Sequence, residues 1–187
     1  MNELFAYFDQ FYPQTPEAKL ALAGVCNVIF LKKGEILQPI GHTCKTIYFI
    51  KSGVARIYYY KDGTDITEYF AFENNLIVRV ESLFTGMPSK KAIQILEDAE
   101  MVAIQATSLF ELYDTFPRIE RLFRLIFEAA HVETIHRMES IQFHTAEERY
   151  QALLLHPDII QRIPLKHIAS YLGITQVSLS RIRALRR

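Results

Sequence analysis

Residues 163–187 read IPLKHIASYLGITQVSLSRIRALRR, and this stretch decides the fold. Pro164 suits the first turn of a helix that runs to Leu172. Gly173 supplies the turn, and Thr175 can cap a second helix from Gln176 to about Arg186. Ile168, Ala169, Leu172, Ile174, Leu179 and Ile182 fit the inner faces of two helices crossing at a tight angle. The small Ala169 lets them approach, and Gly173 lets the chain reverse. This is helix-turn-helix spacing. With Leu179, Ile182 and the stem of Arg186 inward, Val177, Ser180, Arg181 and Ala184 face outward and Gln176 stands at the exposed N-terminal end. The N-terminal part of such a helix reaches base edges in a major groove. Arg181 can bond guanine O6 and N7, Gln176 can bond adenine N6 and N7, and Val177 can touch a thymine methyl. Thr175, Ser178 and the first amides of the helix suit phosphates. Lys166, Arg183, Arg186 and Arg187 add counter-charge, which predicts salt-sensitive binding to a double-stranded DNA operator. The competing reading of the same residues is an amphipathic hairpin that binds nothing.

The rest of the chain agrees with a polyanion partner at this end. Lys plus Arg and Asp plus Glu each total 21 in 187 residues, so the net charge is zero. The charge is unevenly placed: residues 1–117 hold 10 basic and 14 acidic side chains, and residues 118–187 hold 11 basic and 7 acidic. From Ile163 onward there is no acid at all. Half the residues are hydrophobic, enough for a sizeable core and against a disordered chain. Two cysteines, Cys26 and Cys44, are too few for a disulfide framework or a four-thiolate cluster, and are expected as reduced thiols. The start, MNELFAYFDQFYP, has no basic region of a secretory signal, and no apolar run approaches the ~18–20 residues of a membrane span. The expectation is a soluble cytoplasmic protein.

Upstream of Pro117, short β-rich runs alternate with glycine turns. They are Val25–Leu31, Ile47–Ile50, Val54–Tyr60, Thr67–Phe72, Ala92–Leu96 and Met101–Ala106. Asp62-Gly63 is a hairpin-turn pair. Several short strands at this spacing predict an antiparallel jelly roll. Thr15-Pro16-Glu17 opens a short helix before the strands, and Ser108 to Glu111 reads as a capping box opening another after them. From Pro117 to about His144 there is no glycine or proline, and apolar residues recur in steps of three and four. This predicts one helix of about 26 residues, ~39 Å long. Its apolar stripe is too wide for one partner surface, so a second copy of the helix is expected to cover part of it, with Leu122, Ile126, Ala129 and Ala130 at the dimer interface. Thr145 to Glu148 is a further capping box, starting a helix through Leu155.

In this order of parts the chain resembles the CRP/FNR family of bacterial transcription regulators. IASYLGITQVSLSRIR is similar to the family's recognition unit, in which Gln176, Val177 and Arg181 would read bases. IYFIKSGVARIYY is similar to its core strands, and Gly34, Gly41, Gly53 and Gly63 match its roll pattern. The resemblance implies an α+β fold: an N-terminal antiparallel β-roll of the cyclic-nucleotide-binding kind over 1–116, a dimerisation helix over 117–144, and a C-terminal helix-turn-helix over 145–187. It implies a homodimeric transcription regulator that binds DNA, with RNA polymerase as a further partner. Two departures stand out. The family's nucleotide cassette pairs Gly-Glu with a later Arg-Ser-Ala, its glutamate holding a ribose hydroxyl and its arginine a cyclic phosphate. Here LIVRVESLFTGMPSKKAIQ lacks the Gly-Glu pair, Glu81 is out of step, and Lys90 and Lys91 fill the arginine and serine slots. Lysine lacks arginine's planar fork. Arg79, Glu81, Ser82, Ser89, Lys90 and Lys91 remain the candidate ligand residues, for a cyclic nucleotide, for another small anion, or for no ligand. The second departure is an expected helix-turn-helix without a β-wing.

An enzyme is the alternative from another class, because β-rolls also resemble cupins. Cupins hold metal through a His-x-His strand motif. The six histidines, His42, His131, His136, His144, His156 and His167, include no such pair. The sequence shows no serine-hydrolase elbow, phosphate loop or haem motif. No catalytic residue, cofactor or metal is expected.

Overall fold

The computed structural model describes residues 1–184, with Asp158 described by its backbone alone. The expected inward stem of Arg186, and the counter-charge of Arg186 and Arg187, therefore lie outside the described residues. The chain forms two compact units, Met1–Ile57 with Phe70–Ala129, and Tyr58–Tyr69 with the residues from Ala130 onward.

The first unit opens with α1 (Asn2–Phe11) and α2 (Pro16–Gly24). Thr15 caps α2 as its sequence predicts, accepting from Ala18 N at 3.3 Å. There follow β1 (Cys26–Leu31), β2 (Ile36–Gln38), β3 (Thr46–Ser52), β4 (Ala55–Lys61), β5 (Thr64–Ala71), β6 (Leu76–Ile77), α3 (Val80–Thr85), β7 (Ala92–Ile95), β8 (Ala99–Gln105) and α4 (Ala106–Thr115). The long α5 (Pro117–Phe143) ends one residue short of its predicted bound. The strands make two four-stranded sheets, ordered β1-β8-β3-β6 and β2-β7-β4-β5. β8 pairs antiparallel with both β1 and β3.

Strand alternation explains why the first sheet is apolar on both faces. Ile47, Phe49, Val102 and Ile104 join Leu4, Phe8, Leu22, Leu109, Leu122 and Phe123 in one helical-side cluster. Ile50, Met101 and Ala103, also buried, point to the opposite face. Gly53 turns β3 into β4 with φ +94°, and a Cβ there would meet Asp98 O at 2.6 Å. Only glycine fits that approach.

α1, β2, β6, α3 and a later helix over Pro157–Arg162 are not among the elements expected from sequence, and one expected cap falls elsewhere. α4 begins at Ala106, not at Ser108, and has no side-chain cap. Tertiary bonds replace it: Gln105 N donates to Val25 O and Ala106 N to Lys45 O, at 3.2 and 3.0 Å. The N-cap amide and the first amide of the helix are thus satisfied before the serine is reached.

In the second unit, Asp62 and Gly63 take φ of 51° and 75°, the left-handed pair of a two-residue hairpin turn. After α5 come α6 (Ala146–Leu154), α7 (Pro157–Arg162), α8 (Leu165–Tyr171) and α9 (Gln176–Ala184). The Thr145 capping box forms: Thr145 N donates to Glu148 Oε2 at 2.7 Å, and Glu148 N donates to Thr145 Oγ1 at 3.2 Å. Tyr150, Leu153, Ile163, Ile168, Ala169, Leu172 and Leu179 are buried in this unit. Among the described residues no helix is long and apolar enough to cross a membrane.

Candidate nucleic-acid interface

α8 and α9 are joined by Gly173, whose φ of +70° closes α8. Leu179 anchors α9, only 1% exposed. Helical phase then turns Gln176, Val177, Ser180 and Arg181 to solvent, and all four are exposed. Val177 is 62% exposed, a large apolar side chain left open beside three polar ones. Thr175 Oγ1 accepts from Ser178 N at 3.1 Å and so caps the helix, and it lies 3.0 Å from Ser178 Oγ. No acid occupies the first turn of α8 or α9. Positive partial charge at the start of α9 is therefore unopposed by a neighbouring carboxylate of its own helix. Lys166 and Thr175 are exposed, and Ser178 and Arg183 half-buried.

The same unit brings the β4–β5 hairpin beside these helices. Thr67 N donates to Ser170 Oγ at 3.1 Å. A cleft of about 850 Å³ is lined by Lys61 and Asp65 from the hairpin and by Lys166, Thr175, Gln176 and Ser178 from the helices. The hairpin's part in this surface is absent from the sequence reading. Lys61 and Lys166 are more than a hundred positions apart, and no local spacing links them.

Two arginines hold the end of α8. Arg149 Nη2 donates to Leu172 O at 2.7 Å, while its Nη1 donates to His144 O at 2.5 Å and to Ile141 O at 3.4 Å. Arg137 donates to Tyr171 O, and its guanidinium carbon lies 3.7 Å from the Tyr171 ring centre. Burial lowers the pKa of Arg137, an effect that Tyr171 opposes.

The expected dimer face needs correction. Leu122 and Ile126 are 0% and 4% exposed, packed with Ile119 and Phe123 into the core of their own unit. They are unavailable to a second chain. Ala129 and Ala130 are exposed. The exposed large apolar residues of α5 are Val132, Met138, Ile141 and Phe143, and a line through Phe127, His131, Thr134, Met138 and Ile141 runs along the helix in steps of four and three residues. Such steps give the 3.5-residue period of a two-helix seam. Phe127 is half-buried and the other four are exposed, Met138 and Ile141 by 52% and 53%. Ala130 flanks this line, and Ala129 lies off it. At its start the Phe84 ring, on a side chain 56% exposed, meets Phe127 edge-on at 5.2 Å and stacks on Phe110 at 6.1 Å.

The candidate ligand residues lie on α3 and between it and β7, and the two serines spend their hydroxyls on the chain itself. Ser82 Oγ accepts from Cys44 N at 2.9 Å and donates to Met87 O at 2.6 Å. Ser89 Oγ donates to Lys91 O at 2.7 Å and accepts from Lys91 N at 3.1 Å. Arg79 is buried at the start of α3, Glu81 and Lys90 are exposed, and Lys91 is half-buried. No group of three or more His, Cys, Asp or Glu side chains able to hold a metal occurs among the described residues.

The sequence profile of the cyclic nucleotide-binding domain matches residues 28–116. No curated protein matches the sequence. Among solved structures, FixK2 from Bradyrhizobium japonicum is 19% identical, with a TM-score of 0.75, over 86% of this chain and 84% of its own. A Eubacterium rectale protein assigned to the transcriptional regulators of the crp/fnr family is 20% identical, with a TM-score of 0.76, over 99% of this chain and 87% of its own. The Thermus thermophilus catabolite activator protein is 19% identical, with a TM-score of 0.59, over 94% of this chain and 84% of its own. Residues 28–116 thus resemble a cyclic nucleotide-binding domain in sequence, and the chain shares its fold with these solved structures.

Proposed function

We propose that this protein is a sequence-specific DNA-binding transcription regulator that acts as a homodimer. The observation that carries the reading is the exposed face of α9. Gln176, Val177, Ser180 and Arg181 offer two bidentate hydrogen-bonding side chains, a methyl surface and a hydroxyl on a helix anchored by Leu179. Thr175, Ser178, Lys166 and Arg183 take phosphates on either side of the base-reading residues. The likeness of fold to transcription regulators supports this reading over an enzyme.

The second copy packs along Phe127, His131, Thr134, Met138 and Ile141, in place of the interface first expected. Two recognition helices then face one side of a near-palindromic duplex. In the β-roll, Ser82 and Ser89 are engaged with backbone atoms and the Gly-Glu pair is missing. The roll therefore serves as scaffold, and operator binding proceeds without cyclic nucleotide. RNA polymerase is the partner that a bound regulator of this kind would meet.

Selection from a random duplex library tests the reading. A twofold-symmetric sequence should enrich, its affinity should fall steeply with salt, and added cyclic AMP should leave that affinity unchanged. A library that emerges unenriched after repeated rounds refutes sequence-specific binding.

A further inference from the structure

We propose that Arg149 is a positioning residue for DNA recognition: it fastens the end of α5 to the turn of the helix-turn-helix and so sets the angle of α9. This rests on the proposed DNA-binding function and names the residue that fixes its geometry. One guanidinium reaches two helix ends. Nη1 takes His144 O and Ile141 O, at 2.5 and 3.4 Å, where α5 finishes. Nη2 takes Leu172 O, at 2.7 Å, where α8 finishes. Carbonyls at a helix C-terminus lack intrahelical donors, and they carry the negative end of the helix dipole. A cation with donors on both sides satisfies both ends at once.

The consequence reaches α9 through a short rigid path. Leu172 is followed by Gly173, Ile174 and the capping residue Thr175, and Gln176 begins the helix. Arg137 holds the adjacent Tyr171 carbonyl and stacks on its ring, so two successive carbonyls before the turn are fixed from α5 and α6. A palindromic site demands that two copies of α9 stand at one separation, and any slack at this joint is passed to both. Lysine cannot replace Arg149, because one ammonium lacks the fork that spans the two sets of acceptors.

Two measurements on the full chain test the proposal. The first needs no DNA. Spin labels at Glu139 on α5 and Ser180 on α9, both exposed, report the intrachain distance in protein diluted with unlabelled chains. The native protein should give one narrow distribution. Arg149→Ala and Arg149→Lys should broaden it, with helical content unchanged by circular dichroism. Distributions as narrow as the native one in both variants overturn the proposal. The second uses the duplex selected by the native protein, with its half-sites moved apart or together by one and two base pairs. The native protein should lose affinity sharply at each wrong spacing. Arg149→Lys should bind the best spacing at least about tenfold more weakly, having lost charged hydrogen bonds, and should discriminate less among spacings. Native-like spacing discrimination in that variant overturns the proposal. Failure of the native protein to select any duplex counts against the DNA-binding reading instead, and the label distances still decide the role of Arg149.

Discussion

Arg181 carries the sharpest prediction at the scale of single residues. It is exposed on α9, four positions along from the exposed Val177, and no acid of the described α9 neutralises it. Arg181→Ala should cost about 1–3 kcal/mol of discrimination at one base pair of each half-site, the worth of a bidentate guanine contact. Salt-dependent binding to random duplex should persist. Anisotropy titrations against the selected site and a base-substituted site measure both quantities, and unchanged discrimination would remove Arg181 from the reading face. Cys26 makes a separate prediction. Burial pushes its thiol up to about 11, against a small opposing effect of the N-terminal amine. In a Cys44→Ser background, alkylation of the folded protein should accelerate only as pH approaches that value, and a half-point near the ordinary thiol range would contradict the burial. The α9 face was legible from sequence because helix phase is local: once Leu179 points in, Arg181 must point out. The acceptors of Arg149 were not, since Ile141, His144 and Leu172 are met only through folding. Nor were those of Ser82 and Ser89, whose hydroxyls serve backbone atoms instead of a ligand.

Elements show where periodicity suffices and where it does not. α5 was readable to within a residue, because nothing between Pro117 and Phe143 interrupts it. Its interface was misread because the helix has two apolar faces and the sequence does not say which meets its own chain. Leu122 and Ile126 stand in phase with Ile119 and Phe123, and that face fills the core of its own unit. The seam that remains is punctuated by His131 and Thr134. Replacing both Met138 and Ile141 by glutamate places four charges in a two-helix seam. Light scattering should then report monomers, with circular dichroism unchanged and operator affinity reduced; a persistent dimer would place the interface elsewhere. The cap of α6 gives a pH dependence. Bonds from the backbone and hydroxyl of Thr145 lower the Glu148 pKa below its ordinary value. Such a group stabilises the fold above its unfolded pKa, and the contribution fades as pH falls through the folded value. Thr145→Ala should therefore destabilise α6 at neutral pH and make less difference under acid; equal effects in thermal melts at both pH values would contradict the capping box. The predicted cap at Ser108 failed for a reason that sequence spacing does not contain, since Lys45 and Val25, the residues just before β3 and β1, supply distant acceptors.

At the scale of the whole molecule, zero net charge conceals an acid-poor end that carries the exposed α9 face proposed to read DNA. The β-roll, legible from its glycine-punctuated strands, contributes the Asp62-Gly63 hairpin to the second unit, a turn that its own residues announce and a placement that they do not. A molecule built this way should grip DNA twice, once with each copy of α9, on one side of the duplex. Guanine N7 methylation protection on the selected operator tests this most directly. Two symmetry-related patches of major-groove protection should appear with their centres about one helical turn, ~34 Å, apart. A single protected patch, or protection spread evenly along the duplex, would contradict paired insertion of the two helices.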